Sequence, residues 1–156
     1  MSMDKFFTRE ASNKGIELPL PLPDGMPSGD HLIIVGKYSD LYRENESDMK
    51  RRAVEVCSKY PDDKKKRDAH LHKLEVEFLA SLVIGWSFDV EFNKKNVETL
   101  LREAPQIRDL VDKSVVNNSL FFGKSSTDYL NPAEEPSNSK ESQKGQKSPS
   151  GSTSNK

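Results

Sequence analysis

His70 and His72, in the stretch "DAHLHK", are the residues that most directly suggest metal chemistry. On a helix, positions i and i+2 lie about 200° apart, so the two rings face opposite ways. Ligation from one helix face needs a spacing of three or four. His31 is distant in sequence, and the chain has one cysteine, Cys57. The pair is therefore expected to be a surface pair, and neither a metal nor a cofactor is expected. Cys57 could serve as a nucleophile beside a histidine, but no local motif supports it. It falls among Ala53, Val56 and Tyr60 on the apolar stripe of a predicted helix, and is expected to be a buried, inert thiol.

Two basic clusters, "KRR" at Lys50–Arg52 and "KKKR" at Lys64–Arg67, could meet phosphates. Acids flank both, in "ENESD" before the first and "DD" before the second. No aromatic residues interleave them as in single-strand binders. A solvated helix face is the expectation, with no nucleic acid as partner. Neither a glycine-rich phosphate loop nor a nucleophile elbow is present, and no pair of acids is spaced for acid–base work. The chain is expected to be non-enzymatic.

What remains is apolar. "LVIGWSFDVEF", Leu82 to Phe92, holds the only tryptophan and two of the seven phenylalanines. Trp86, Phe88, Val90 and Phe92 alternate with Ser87, Asp89 and Glu91, which predicts an extended segment with one apolar face. Two roles fit that face. It can close the helical core, as a small domain needs, or part of it can stay accessible and bind another protein. Trp86, Phe88 and Phe92 are the candidate partner-binding residues.

These residues need elements to hold them. Ile16, Leu18, Leu20 and Leu22 alternate with Glu17 and prolines 19, 21 and 23, which predicts an edge strand. "PDGMPSGD" predicts a turn, and "LIIV", Leu32 to Val35, the second strand of a hairpin. Ser39 or Asp40 can cap a helix running to about Tyr60, with Leu41, Tyr42, Met49, Ala53, Val56, Cys57 and Tyr60 on one stripe. A second helix is predicted from about residues 64–68 to a cap at Gly85. A third covers "KKNVETLLRE", and a fourth runs through "PQIRDLVDKSVVNNSLF" with Pro105 in its first turn. The predicted fold is mainly α: a small domain of about four helices preceded by an N-terminal β-hairpin, with a disordered C-terminal tail. Its parts are an N-terminal segment 1–14, partly flexible; a globular domain 15–130, with the hairpin at about 15–36 and helices at about 39–129; and a disordered polar tail 131–156.

Composition agrees with a partly folded chain. Of 156 residues, 33% are hydrophobic and 31% charged, with mean hydropathy −0.77. Basic residues number 24 and acidic 25, for a net charge of −1, so nothing draws the chain to nucleic acid or an anionic membrane. No apolar run approaches the roughly 20 residues of a membrane span. A signal-peptide core is absent from "MSMDKFFTRE", and a single cysteine suits a reducing compartment, so a soluble cytoplasmic protein is expected.

The order of residues in "HLIIVGKYSDLYRENESDMKRR" and in "HKLEVEFLASLVIGWSFDVEFNKKNVETLLREAPQIRDLVDKSVVN" resembles the tail assembly chaperones of long-tailed bacteriophages. The resemblance covers about Leu32 to Phe122. Its most specific part, Leu82 to Ile107, includes Trp86, Phe92, Asn96, Val97, Leu100, Leu101, Pro105 and Ile107. It implies a small, mostly helical protein of the infected bacterium's cytoplasm, absent from the mature virion. Its partners would be the tape measure protein, which it keeps soluble, and the tail tube protein, whose subunits it helps recruit. A structural tail completion or connector protein of the virion is the alternative, and a small nucleic-acid-binding regulator a more distant one.

Overall fold

The computed structural model describes residues 1–123. The predicted disordered tail 131–156, and the end of the predicted domain 15–130, lie outside them.

The chain opens with a 3-10 turn at Met3–Phe6 and a short helix α1, Arg9–Lys14. Gly15 ends α1 with φ +78°, donating its N–H to the Ala11 carbonyl. A Cβ here would sit 2.5 Å from the Ile34 carbonyl oxygen, so both backbone angle and space demand glycine. Strand β1, Ile16–Pro21, then pairs antiparallel with β2, Pro27–Ile34. Leu18 lies opposite Leu32 and Ile16 opposite Ile34. Leu18, Leu20, Leu32 and Ile34 are buried, while Glu17, Pro19 and Pro21 are exposed.

The predicted hairpin is present, but its turn is shorter than expected. Leu22 and Met26 close it through a 2.8 Å N–H···O bond, and β2 already starts at Pro27. Ser28 extends the pairing, donating its hydroxyl to the Leu20 carbonyl. Pro19 and Pro21 have no N–H to donate, so they leave the ladder to residues such as Ile16 and Leu18, on an outer strand as expected.

Helix α2, Asp40–Lys59, starts at the predicted cap, where Ser39 accepts the Tyr42 N–H at 3.1 Å. Asp63 caps α3, Lys64–Ser81, by accepting the Lys66 N–H at 3.0 Å. The expected stop of α3 at Gly85 is not observed. The helix ends at Ser81, and Val83–Trp86 forms a third strand, β3, antiparallel to β2 on the side away from β1. The Val35 N–H donates to the Leu82 carbonyl at 2.9 Å, and Trp86 lies opposite Leu32. Pairing with a distant strand thus overrides continuation of the helix, at residues whose branched side chains suit a sheet.

Helix α4, Lys94–Glu103, is capped by Asn93, which accepts the Asn96 N–H at 2.8 Å. Pro105 occupies the first turn of α5, Pro105–Val115. The predicted fourth helix does not continue through "NNSLF". The Val115 carbonyl accepts the Lys37 N–H at 3.1 Å, and Asn117 caps a separate short helix α6, Asn118–Phe122. The described residues therefore hold the four predicted helices, the second and fourth of them shortened, together with α1 and α6.

Apolar side chains of the sheet meet those of three helices in one core. Leu32 and Ile34 from β2, Leu82 and Val83, Val97 and Leu101 from α4, and Val111 and Val115 from α5 are each at most 4% exposed. Helix α2 holds no buried residue and meets this core only from its edge, through half-buried Leu41 and Tyr42; its principal neighbour is α3. Met49, Ala53, Val56 and Tyr60 form its half-buried seam. Cys57 is exposed, not buried as expected. On a helix turning about 100° per residue it lies roughly 70° from the centre of that seam, and no second neighbour covers it.

Candidate partner-binding surface

Strand β3 delivers Trp86 to the end of the sheet, where it is half-buried. The chain does not stay extended after it, as the alternation had predicted. It curls around the indole, whose Nε1–H donates to the Val90 carbonyl at 2.9 Å. Phe88 and Phe92 are brought edge-on to Trp86, with centroids 5.2 and 5.4 Å away and interplanar angles of 75° and 89°. Edge-to-face geometry places the positive ring edge on the negative face, worth about 0.5–1.5 kcal/mol per pair beyond area burial.

Polar contacts hold the loop in place. Ser87 donates its N–H to the His31 carbonyl at 3.1 Å and its hydroxyl to Asp30 at 2.9 Å. The Asn96 amide donates to the Glu91 carbonyl at 2.9 Å, tying the far end to α4.

The three predicted residues thus form one cluster with a graded exposure. Trp86 and Phe88 are half-buried and pack on the core, and Phe92 is 41% exposed. Val90 (59%), held at Trp86 by its carbonyl, enlarges the accessible apolar surface, and Ile84 (41%) is a further exposed apolar residue on β3. Ile84 stands at the irregular step of the β2–β3 register, and Val90 at the turn of the loop. Neither position can be found from an ideal alternation. A second apolar group was also missed: Met3, Phe6 and Phe7 are 70%, 71% and 63% exposed. The adjacent aromatics in "DKFFTRE" were its only signal.

The groups considered for chemistry are not brought together. His70 stacks on Tyr60 with centroids 4.9 Å apart, and His72 contacts Arg108 at 3.2 Å. No set of three potential metal ligands occurs among the described residues. The Lys50–Arg52 cluster is tied up by acids: Lys50 meets Glu46 at 2.8 Å, Arg51 meets Asp48 and Glu55, and Arg52 meets Glu77 at 2.8 Å.

Shifted carboxyls mark the start of α2. The hydrogen bond from Arg9 holds the Asp40 carboxyl below its ordinary value, with Asn13 adding to it, and the Lys50 ammonium does the same for Glu46. These contacts fasten helices. Among the described residues no helix is long and apolar enough to cross a membrane.

A family model described as phage tail assembly chaperone matches residues 35–113, and the chain belongs to that family. The match spans α2 through most of α5 and contains the whole aromatic loop. No curated protein and no solved structure matches the chain.

Proposed function

We propose that this chain binds the phage tape measure protein, keeps it soluble and helps recruit tail tube subunits, without catalysis. The aromatic cluster of Trp86, Phe88 and Phe92 is the contact. The observation that carries this reading is the exposed apolar surface, formed by Phe92 and Val90 against the Trp86 and Phe88 rings, in a tail assembly chaperone. A tape measure protein is long and helical, and aggregates when an apolar face is left bare. An accessible aromatic surface can cover such a face as a helix laid into a groove. The protein acts in the cytoplasm of the infected bacterium and is absent from the finished virion.

Co-expression with the tape measure protein tests this. The expected result is a soluble partner that co-purifies with this chain and is lost with Phe88→Ala or Phe92→Ala. A partner that precipitates alone while this chain stays free rejects the reading. Mass spectrometry of virions adds a second arm: presence of the chain at stoichiometric level would make it a structural tail component.

A further inference from the structure

The aromatic surface lies in an unusual electrostatic setting. Residues 15–36 and 82–93, which form the hairpin, β3 and the aromatic loop, contain no lysine or arginine. At the chain's average, about five of them would be basic. They do contain carboxylates, and three border the aromatic cluster. Asp30 accepts the Ser87 hydroxyl at 2.9 Å, and Asp89 and Glu91 flank Val90 in the loop, both exposed. The next lysine along the chain, Lys94, lines the groove between α2 and α3 and lies 3.8 Å from Glu98. Basic residues gather elsewhere, with six between Lys59 and Lys73 against three acids.

Val90 and Phe92 share their loop with two exposed carboxylates and no basic residue, so this surface selects its occupant by charge. A helix with acidic flanks is repelled, and one with basic flanks gains an ion pair at each side. We infer that the occupant is an amphipathic helix whose apolar stripe is bordered by lysine or arginine. The inference rests on the chaperone reading above and narrows the partner to its basic amphipathic segments. Val90 and Phe92 supply the contact for the stripe, and Asp30, Asp89 and Glu91 the contacts for the flanks.

The test titrates the full chain with two tryptophan-free synthetic peptides of equal length and identical leucine stripe, one flanked by lysine and one by glutamate. Trp86, the sole tryptophan, reports binding through its emission. The lysine peptide is expected to bind about tenfold tighter at low salt, the sum of a few exposed ion pairs, with the preference shrinking as salt rises. The double variant D89N/E91Q is expected to fold normally and lose the preference. Phe92→Ala is expected to weaken both peptides. Equal or inverted preference, an unaffected D89N/E91Q chain, or no response of Trp86 to either peptide would overturn the inference. So would emission that changes with protein concentration alone, which would mean that a second copy occupies the surface. Undiminished co-purification of the tape measure protein with D89N/E91Q would overturn the charge requirement and leave the chaperone reading standing. Binding of the lysine peptide by a chain that leaves the tape measure protein insoluble would do the reverse.

Discussion

Single side chains divide into those that hold the fold and those free to meet a partner. Leu101 is fully buried, so Leu101→Ala is expected to cost about 2–5 kcal/mol in urea denaturation. Phe92→Ala removes one edge-on ring from a surface position, and a loss of about 0.5–1.5 kcal/mol is expected. That difference makes Phe92 the informative substitution for binding, since the domain survives it. The Asp40 carboxylate gives a pH signature. Its pKa is lowered in the folded state, chiefly by the hydrogen bond from Arg9, so the folded chain binds fewer protons than the unfolded one near that value. Its stabilising contribution is full above the ordinary carboxyl pKa of about 4 and is lost as pH falls through the lower folded value. Urea midpoints of the native chain and of Asp40→Asn should differ near neutral pH and converge in acid.

Elements were legible where a local rule decides them. Ser39 and Pro105 mark helix starts by chemistry that acts within four residues, and both starts are found there. Ser39→Ala is expected to destabilise the chain by about 0.5–2 kcal/mol in thermal or urea unfolding. Ends decided at a distance were not legible. Strand β3 exists because β2 offers it a partner more than 45 residues earlier, and Gly85 fits because a Cβ there would already approach Ile33 Cδ1 to 3.2 Å. The curl of the aromatic loop is not legible for the same reason: residue type marks Trp86, Phe88 and Phe92, but their mutual packing depends on an indole bond to Val90. Cys57 was misplaced for a related reason, since the stripe of α2 is covered on one side only. That one-sided cover has a measurable outcome. Helix α2 has no buried residue and α5 has four, so amides of α2 are expected to exchange with deuterium well before those of α5.

At the scale of the whole molecule, mainly helical architecture and the hairpin were readable from periodicity, and the family from residue order in the part that the family model covers. Charge distribution was readable only once the strands were placed. Among the described residues, all lysines and arginines but Lys37 lie on helical segments, and the charged residues of the sheet and its aromatic loop, His31 aside, are carboxylates. The hairpin also bears on how much of this protein a cell can hold. A sheet of three strands has two outer strands, and an outer strand invites other copies to add to it. On β1, Pro19 and Pro21 remove the donors that an incoming strand would need. Replacing both by valine should leave burial of Leu18 and Leu20 intact, yet turn dilute, soluble protein into material that scatters light and binds amyloid dyes as its concentration rises. The prolines thus set the concentration that this chain can reach before its own copies begin to add to one another edge to edge.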